Sequence, residues 1–333
     1  MRLGLIGAGG MAGVYADRIG GIDGATVGAV ASPNTAASFV AERVPGATAY
    51  GDAEAMCAGA DLDAAAVVTP THTHPEMVET AASHGLDVIC EKPLARTMAG
   101  GRAIADAVAD AGITFMTAHV VRFFPEYAAA KERIDAGEVG DPGVARTRRA
   151  FGFEGGRGWF DDPERSGGVL LDLGVHDIDY LRWVLGDVER VFTRRAGWSG
   201  DGESEVALSL LRFGSGAVGH VEAWWVEGPA VPFTTALEVA GDEGLIEHAN
   251  DEVQPLRRFD ADGVHVPRDP VGDDLPLRRD GYRRQLEHFL ECAEDGTEPA
   301  VPVGEGLRSM QVALAAIESA ERGAPVAPAE VGQ

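Results

Sequence analysis

The segment that opens the chain, RLGLIGAGGMAGVYA over residues 2–16, runs from a short apolar stretch through clustered glycines into a helical pattern. Strand, glycine turn and helix in that order match the G-x-G-x-x-G/A fingerprint, with Gly7, Gly9 and Ala12 at its three places. Gly7 permits the tight turn, Gly9 lets the backbone approach a pyrophosphate, and the small Ala12 lets helix and strand pack closely. Gly10 and Met11 complete the loop at the helix N-terminus, where unpaired N–H groups and a partial positive charge suit an anion. A lone fingerprint is weak evidence. Its position inside an alternating βαβ pattern is what gives it weight.

That pattern fills the first part of the chain. Candidate strands at 2–7, 25–31, 64–69, 86–91 and 113–117 alternate with helical stretches near 10–20, 34–43, 75–84 and 97–111. Such alternation predicts a parallel sheet covered on both faces. After about residue 122 the rhythm changes. A helical stretch at 126–137 precedes strand-like runs at 144–151, 188–197, 205–213, 217–225 and 235–241, with a helix expected over about 172–185. Turn signals at GSG (214–216) and DADG (260–263) separate later strands, and helical patterns at 282–296 and 306–323 each end in glycine. The expected fold class is α/β: an N-terminal Rossmann domain (1–120) with a doubly wound parallel sheet, then a C-terminal α+β domain (121–333) with an open, largely antiparallel sheet.

Bulk properties exclude several partners. A net charge of −25 repels nucleic acid and anionic membrane surfaces. A membrane span needs about 20 apolar residues, and no run approaches that. The N-terminus reads as a strand rather than a signal peptide. Cys57, Cys90 and Cys292 are widely spaced, giving neither a disulfide framework nor a metal site and fitting the cytoplasm.

Three places carry candidate chemistry. The end of the second strand, where an acid would hold the adenosine ribose of NAD, has Ser32 and nearby Asn34. Serine tolerates a 2′-phosphate, yet no adjacent arginine supplies a countercharge, so NAD and NADP both stay open. The strand at 86–91 ends in Glu91-Lys92-Pro93, at the edge where open α/β sheets bind ligands. Lys92 is one of only two lysines in a chain whose other basic residues are arginines, and Pro93 restricts its backbone. Lastly, GGVLLDLGVHDIDYL (167–181) sets Asp172 and His176 one helical turn apart in an apolar context. Taken alone, that pair is better explained as a helix cap and a packing histidine.

GLIGAGGMA (4–12), TPTHTHPEM (69–77), CEKPLA (90–95), RFFPEY (122–127) and SGGVLLDLGVHDIDYL (166–181) together resemble the Gfo/Idh/MocA oxidoreductases over nearly the whole chain. The resemblance implies NAD(P)-dependent hydride transfer to or from a sugar, inositol or related polyol by a homo-oligomer (dimer or tetramer). It places Lys92, Asp172 and His176 at catalytic positions. His176 would be the general base, Lys92 would hydrogen-bond the same oxygen, and Asp172 would orient substrate or tune His176. Histidine and a positioned cation suit that chemistry on general grounds.

The resemblance brings Thr69, Pro70 and His74 to the nicotinamide pocket, although Thr71 stands where the family often has Asn. The expected cofactor set is thus Gly7, Gly9, Gly10, Met11, Ala12, Ser32, Asn34, Thr69, Pro70, His74, Glu91 and Lys92. Arg122, Tyr127, Trp159 and Tyr282 are candidates for substrate contact. His72 and His74 lack a third ligand, so no metal is expected. Gly167 and Gly168 are expected to let the backbone approach the cofactor. Asp177 and Asp179 read as local structure, and Trp224 and Trp225 as sheet packing. Two alternatives share these motifs: a glycosidase using tightly bound NAD, and a non-catalytic ligand sensor.

Overall fold

The computed structural model describes residues 1–153, 158–197, 204–227, 231–250, 256–260, 263–265 and 280–332. The chain divides into two units, Met1–Phe123 with Asp280–Leu307 and Phe124–Arg279 with Arg308–Gln333. In the first, β1 (Arg2–Ile6), β2 (Thr26–Ala31), β3 (Thr48–Tyr50), β4 (Ala64–Val67), β5 (Asp87–Glu91) and β6 (Phe115–Ala118) make one sheet ordered β3-β2-β1-β4-β5-β6. All its pairings are parallel. Helices α1 (Gly10–Ile19), α2 (Ala36–Arg43), α3 (Ala53–Gly59), α4 (His74–Ser83) and α5 (Met98–Ala111) alternate with the strands. Strand order reverses between β1 and β4, which puts the ligand crevice of a Rossmann sheet at their carboxyl ends. All of β4 and β6 and the last four residues of β1, β2 and β5 are buried, as a sheet covered on both faces requires.

Sequence reading found five of these six strands. The missed β3 is a three-residue edge strand, TAY, with two exposed positions, and so carries no apolar run to betray it. Helix α3 was missed too, although Asp52 caps it by accepting from Ala55 N–H at 2.7 Å.

In the second unit, β7 (Pro142–Phe153), β8 (Val188–Gly197), β9 (Glu205–Phe213), β10 (Val218–Glu227), β11 (Thr234–Gly241), β12 (Gly244–Ala249), β13 (Leu256–Asp260) and β14 (Gly263–His265) form an eight-stranded sheet. Its order is β14-β13-β12-β11-β7-β10-β9-β8. The β7–β10 pair is parallel and the others are antiparallel, so the sheet is largely antiparallel as expected. The DADG turn at 260–263 falls partly outside the described residues. Helices α6 (Pro125–Asp135), α7 (Pro163–Ser166) and α8 (Val175–Leu185) belong to this unit, and α8 packs on β7 and β10. Along β9 buried Ala207, Ser209, Leu211 and Phe213 alternate with exposed Leu208, Leu210 and Arg212, the period of a sheet covered on one face.

Two further helices follow, α9 (Gly281–Asp295) and α10 (Val303–Arg322). Leu286, Phe289 and Leu290 of α9 join Tyr15, Ile19 and Leu5 in the core of the first unit. Among the described residues no helix is long and apolar enough to cross a membrane.

Candidate active site

The glycine loop has the geometry its motif demands. Gly7 has φ +116°, and a Cβ there would lie 2.9 Å from the Val68 carbonyl oxygen, so only glycine fits. Added Cβ atoms on Gly9 or Gly10 would meet nothing within 4 Å, which leaves an open cradle over the start of α1. Among the described residues no side chain caps that helix, and its first turn holds no acid, so its first N–H groups are left for an anion. Ala12 is fully buried. These residues fit a dinucleotide pyrophosphate. Met11 packs against the core, Asn34 is exposed, and Ser32 Oγ pairs with Thr35 Oγ1 at 2.8 Å.

At the carboxyl ends of β4 and β5, side chains tie the two loops down. His74 opens α4 and is 1% exposed. Its Nε2 lies 2.9 Å from the Thr69 carbonyl oxygen and its Nδ1 3.0 Å from that of Pro93. Thr73 Oγ1 donates toward Thr69 Oγ1 and the Pro70 carbonyl, both at 2.8 Å. His74 thus braces the Thr69-Pro70 segment against the Lys92-Pro93 segment, whose peptide bond is cis. Burial pushes its pKa down to about 4, so at neutral pH the imidazole has one N–H and donates to one carbonyl at a time. Because the folded pKa lies below the ordinary value, the unfolded chain binds the extra proton, and stability falls as pH drops from about 6.5 toward 4. The wild type is expected to lose about 2 kcal/mol from this group between pH 6.5 and 5. Urea unfolding of His74→Gln should lack that component.

Glu91 is buried at the end of β5. Its Oε1 accepts from Tyr15 OH at 3.0 Å and its Oε2 from the Lys92 N–H at 3.2 Å. Lys92 is half-buried immediately after it. Sequence reading gave Glu91 to the cofactor and did not find Tyr15, whose only signal was a polar tip on the buried face of α1.

In the second unit the helical run starts earlier than expected, with a π-helical turn at Leu170–Gly174 that leads into α8. Asp172 lies in the π-turn and His176 in the first turn of α8; π-turns recur at functional sites. From Ser166 to Arg182 every side chain is buried except Asp172 and His176, which are partly open. One apolar segment thus exposes one carboxylate and one imidazole.

Its neighbours hold it rigidly. Asp177 is fully buried and accepts from Arg149 Nε at 2.8 Å and Nη2 at 3.1 Å, a bidentate pair joining α8 to β7. Asp179 accepts from Ser309 Oγ at 2.8 Å, and Arg182 donates to the same hydroxyl at 2.9 Å. Asp177 and Asp179 are therefore structural, but their partners are distant in sequence rather than local. Gly167 and Gly168 have φ +90° and +70°, and the group beside Gly168 is the Glu205 carboxylate. Glu205 Oε2 accepts from the Val169 N–H at 2.9 Å and an oxygen of that carboxylate pairs with Arg195 at 3.3 Å. Both glycines lie in the left-handed region that favours glycine, and at Gly168 the Glu205 carboxylate stands beside the backbone.

The substrate candidates fall in both units, Arg122 and Tyr282 in the first and Tyr127 and Trp159 in the second. Arg122 is 6% exposed and lies 3.4 Å from Glu305. Tyr127 is buried edge-on against Tyr180 and His248, which gives it a bracing position. Trp159 is half-buried and stacks on Phe160 at 3.9 Å, and Tyr282 packs against the core of the first unit. Trp225 is buried against Phe151, and Trp224 Nε1 donates to Glu222, so both tryptophans serve the sheet. Among the described residues no cluster of His, Cys, Asp and Glu could hold a metal ion.

Residues 1–119 match the model of an oxidoreductase family's NAD-binding Rossmann fold, and residues 131–327 match that family's C-terminal alpha/beta domain. The scyllo-inositol 2-dehydrogenase (NAD(+)) of Bacillus subtilis is 32% identical over 273 residues, 80% of this chain and 77% of that protein. The D-xylose 1-dehydrogenase (NADP(+)) 2 of Haloferax volcanii is 33% identical over 302 residues, 90% of each chain. In fold, the chain is similar to an oxidoreductase from Agrobacterium radiobacter solved with NAD+, L-tartaric acid and magnesium. That likeness has a TM-score of 0.89 and covers 99% of both chains at 24% identity.

Proposed function

The chain belongs to the Gfo/Idh/MocA oxidoreductase family, NAD(P)-dependent dehydrogenases and reductases acting on CH–OH groups, and we propose that its substrate is an inositol, a sugar or a related polyol. The observation that carries this reading is the Asp172–His176 pair, the two partly open side chains in an otherwise buried segment. A bound nicotinamide supplies the hydride acceptor. In the proposed mechanism His176 takes the proton from the substrate hydroxyl as its carbon is oxidised. Lys92 donates a hydrogen bond to the same oxygen and stabilises its developing charge. Asp172, one turn from His176, orients substrate and favours the imidazolium that forms. Reduction of a carbonyl runs these steps in reverse.

The relatives named above are dehydrogenases, and no observation favours the glycosidase or sensor readings. Steady-state assays with inositols and aldoses and either dinucleotide test the proposal. Formation of reduced nicotinamide with at least one such substrate is the expected result, and none with any would sink it. The dinucleotide is NAD or NADP, and titration with each measures the preference that Ser32 sets.

The protein works in the cytoplasm on this reading, where its three buried thiols stay reduced. It assembles into a dimer or tetramer through the open face of the second unit's sheet. On that face Leu208, Leu210 and Val218 are 44%, 49% and 43% exposed on adjoining strands. Leu208→Glu/Leu210→Glu is expected to shift the protein to monomer in sedimentation velocity. Unchanged sedimentation would put the interface elsewhere.

A further inference from the structure

We propose that Tyr15, Glu91 and Gln285 form a positioning network that sets Lys92 from the dinucleotide-binding helix, a role that rests on the reading of Lys92 as a catalytic residue. Tyr15 lies on the buried face of α1 with Ala12, Ala16 and Ile19. Phenylalanine would fill the same volume, so the hydroxyl needs its own reason. Gln285 of α9, fully buried, donates from Nε2 to Tyr15 OH at 3.3 Å. With that donor on its oxygen, the Tyr15 hydroxyl turns its proton to Glu91 Oε1 at 3.0 Å. Burial, and then the Glu91 charge, raise the Tyr15 pKa well above the phenol range, so the donor persists at every working pH.

The carboxylate's other oxygen accepts the Lys92 N–H at 3.2 Å. Lys92 is the first residue beyond β5, and its N–H is tied to this carboxylate. On its far side the Pro93 carbonyl lies against His74. Lys92 is therefore held from both sides, and the hold on its N-terminal side runs back through Tyr15 to the helix that follows the glycine loop. Burying a carboxylate is unfavourable unless its bonds are made, so such a network specifies geometry more than it adds stability.

The test is a double-mutant cycle with Tyr15→Phe and Lys92→Met, run on a polyol the wild type oxidises. Tyr15→Phe is expected to lower kcat by about tenfold while nucleotide affinity stays within about twofold. Added to Lys92→Met, it should cause no further loss, because its effect passes through the lysine. Losses that multiply, or a Tyr15→Phe enzyme as fast as wild type, would overturn the proposal.

A substrate-free arm uses the composition of the chain, which has only Lys92 and Lys131 as lysines. NMR of protein labelled at lysine 13Cε should show two signals, with that of Lys92 identified by its loss in Lys92→Met. Tyr15→Phe and Gln285→Leu should each move the Lys92 signal and leave that of Lys131 in place. An unmoved Lys92 signal would overturn the network. A Lys92→Met enzyme as active as wild type would remove the catalytic reading of Lys92 instead, and the NMR arm would then decide the network by itself.

Discussion

Replacing His176 with alanine is expected to lower turnover on a polyol substrate by roughly 10²–10⁴-fold while nucleotide affinity stays within about twofold. Proton removal from an alcohol needs a base that titrates near neutrality, and histidine supplies one. The glycine cradle of Gly7, Gly9 and Gly10 belongs to the other unit. The variant empties no core position, because His176 is one of the two partly open side chains of its segment. Lys92→Met should act in the same direction, by roughly 10²-fold or more, through loss of the donor to the developing alkoxide. Steady-state kinetics with calorimetric nucleotide titration separates the two terms. Wild-type turnover in His176→Ala would mean that another group takes the proton.

The second large effect is on stability. Asp177→Ala is expected to destabilise the protein by about 3–5 kcal/mol, because it strands a guanidinium that is buried and stays charged at any working pH. Arg149→Met should be milder. Asp177 can escape by taking up a proton, since burial raises its pKa even against the pull of Arg149. The sign follows from that escape. A carboxyl whose folded pKa exceeds its unfolded one favours folding at low pH, and the benefit is lost as pH rises through the folded pKa. The deficit of Arg149→Met should therefore shrink on acidification, whereas that of Asp177→Ala should not. Urea unfolding at two pH values reads both. Equal deficits at every pH would show that the pair is not buried as described. Because Asp177 adjoins His176, each variant should also lower turnover.

These two predictions differ in how visible their residues are in the sequence. The glycine loop is legible because each glycine answers a demand from residues within one turn: a positive φ at Gly7 and room above α1 at Gly9. Lys92 stands out because arginine replaces lysine nearly everywhere else. Asp172 and His176 are ambiguous alone and acquire meaning from the motifs around them, while the surrounding burial is visible only in three dimensions. The supports are not legible at all. Tyr15 meets Glu91 across 76 residues and Gln285 across 270, and Arg149 meets Asp177 across 28. No local pattern announces such pairs. The short β3 and the strand β12 (GLIEHA) were missed for another reason. Their stability comes from neighbours in the sheet rather than from an apolar run of their own.

Hydride transfer from a carbinol carbon is the central claim, and isotope transfer tests it most directly. A polyol deuterated at its carbinol carbon would be oxidised with NAD or NADP, and the reduced dinucleotide collected for mass spectrometry. One deuterium per reduced nicotinamide is the predicted result. Deuterium recovered in the organic product with the dinucleotide unchanged, or released to water, would contradict the account.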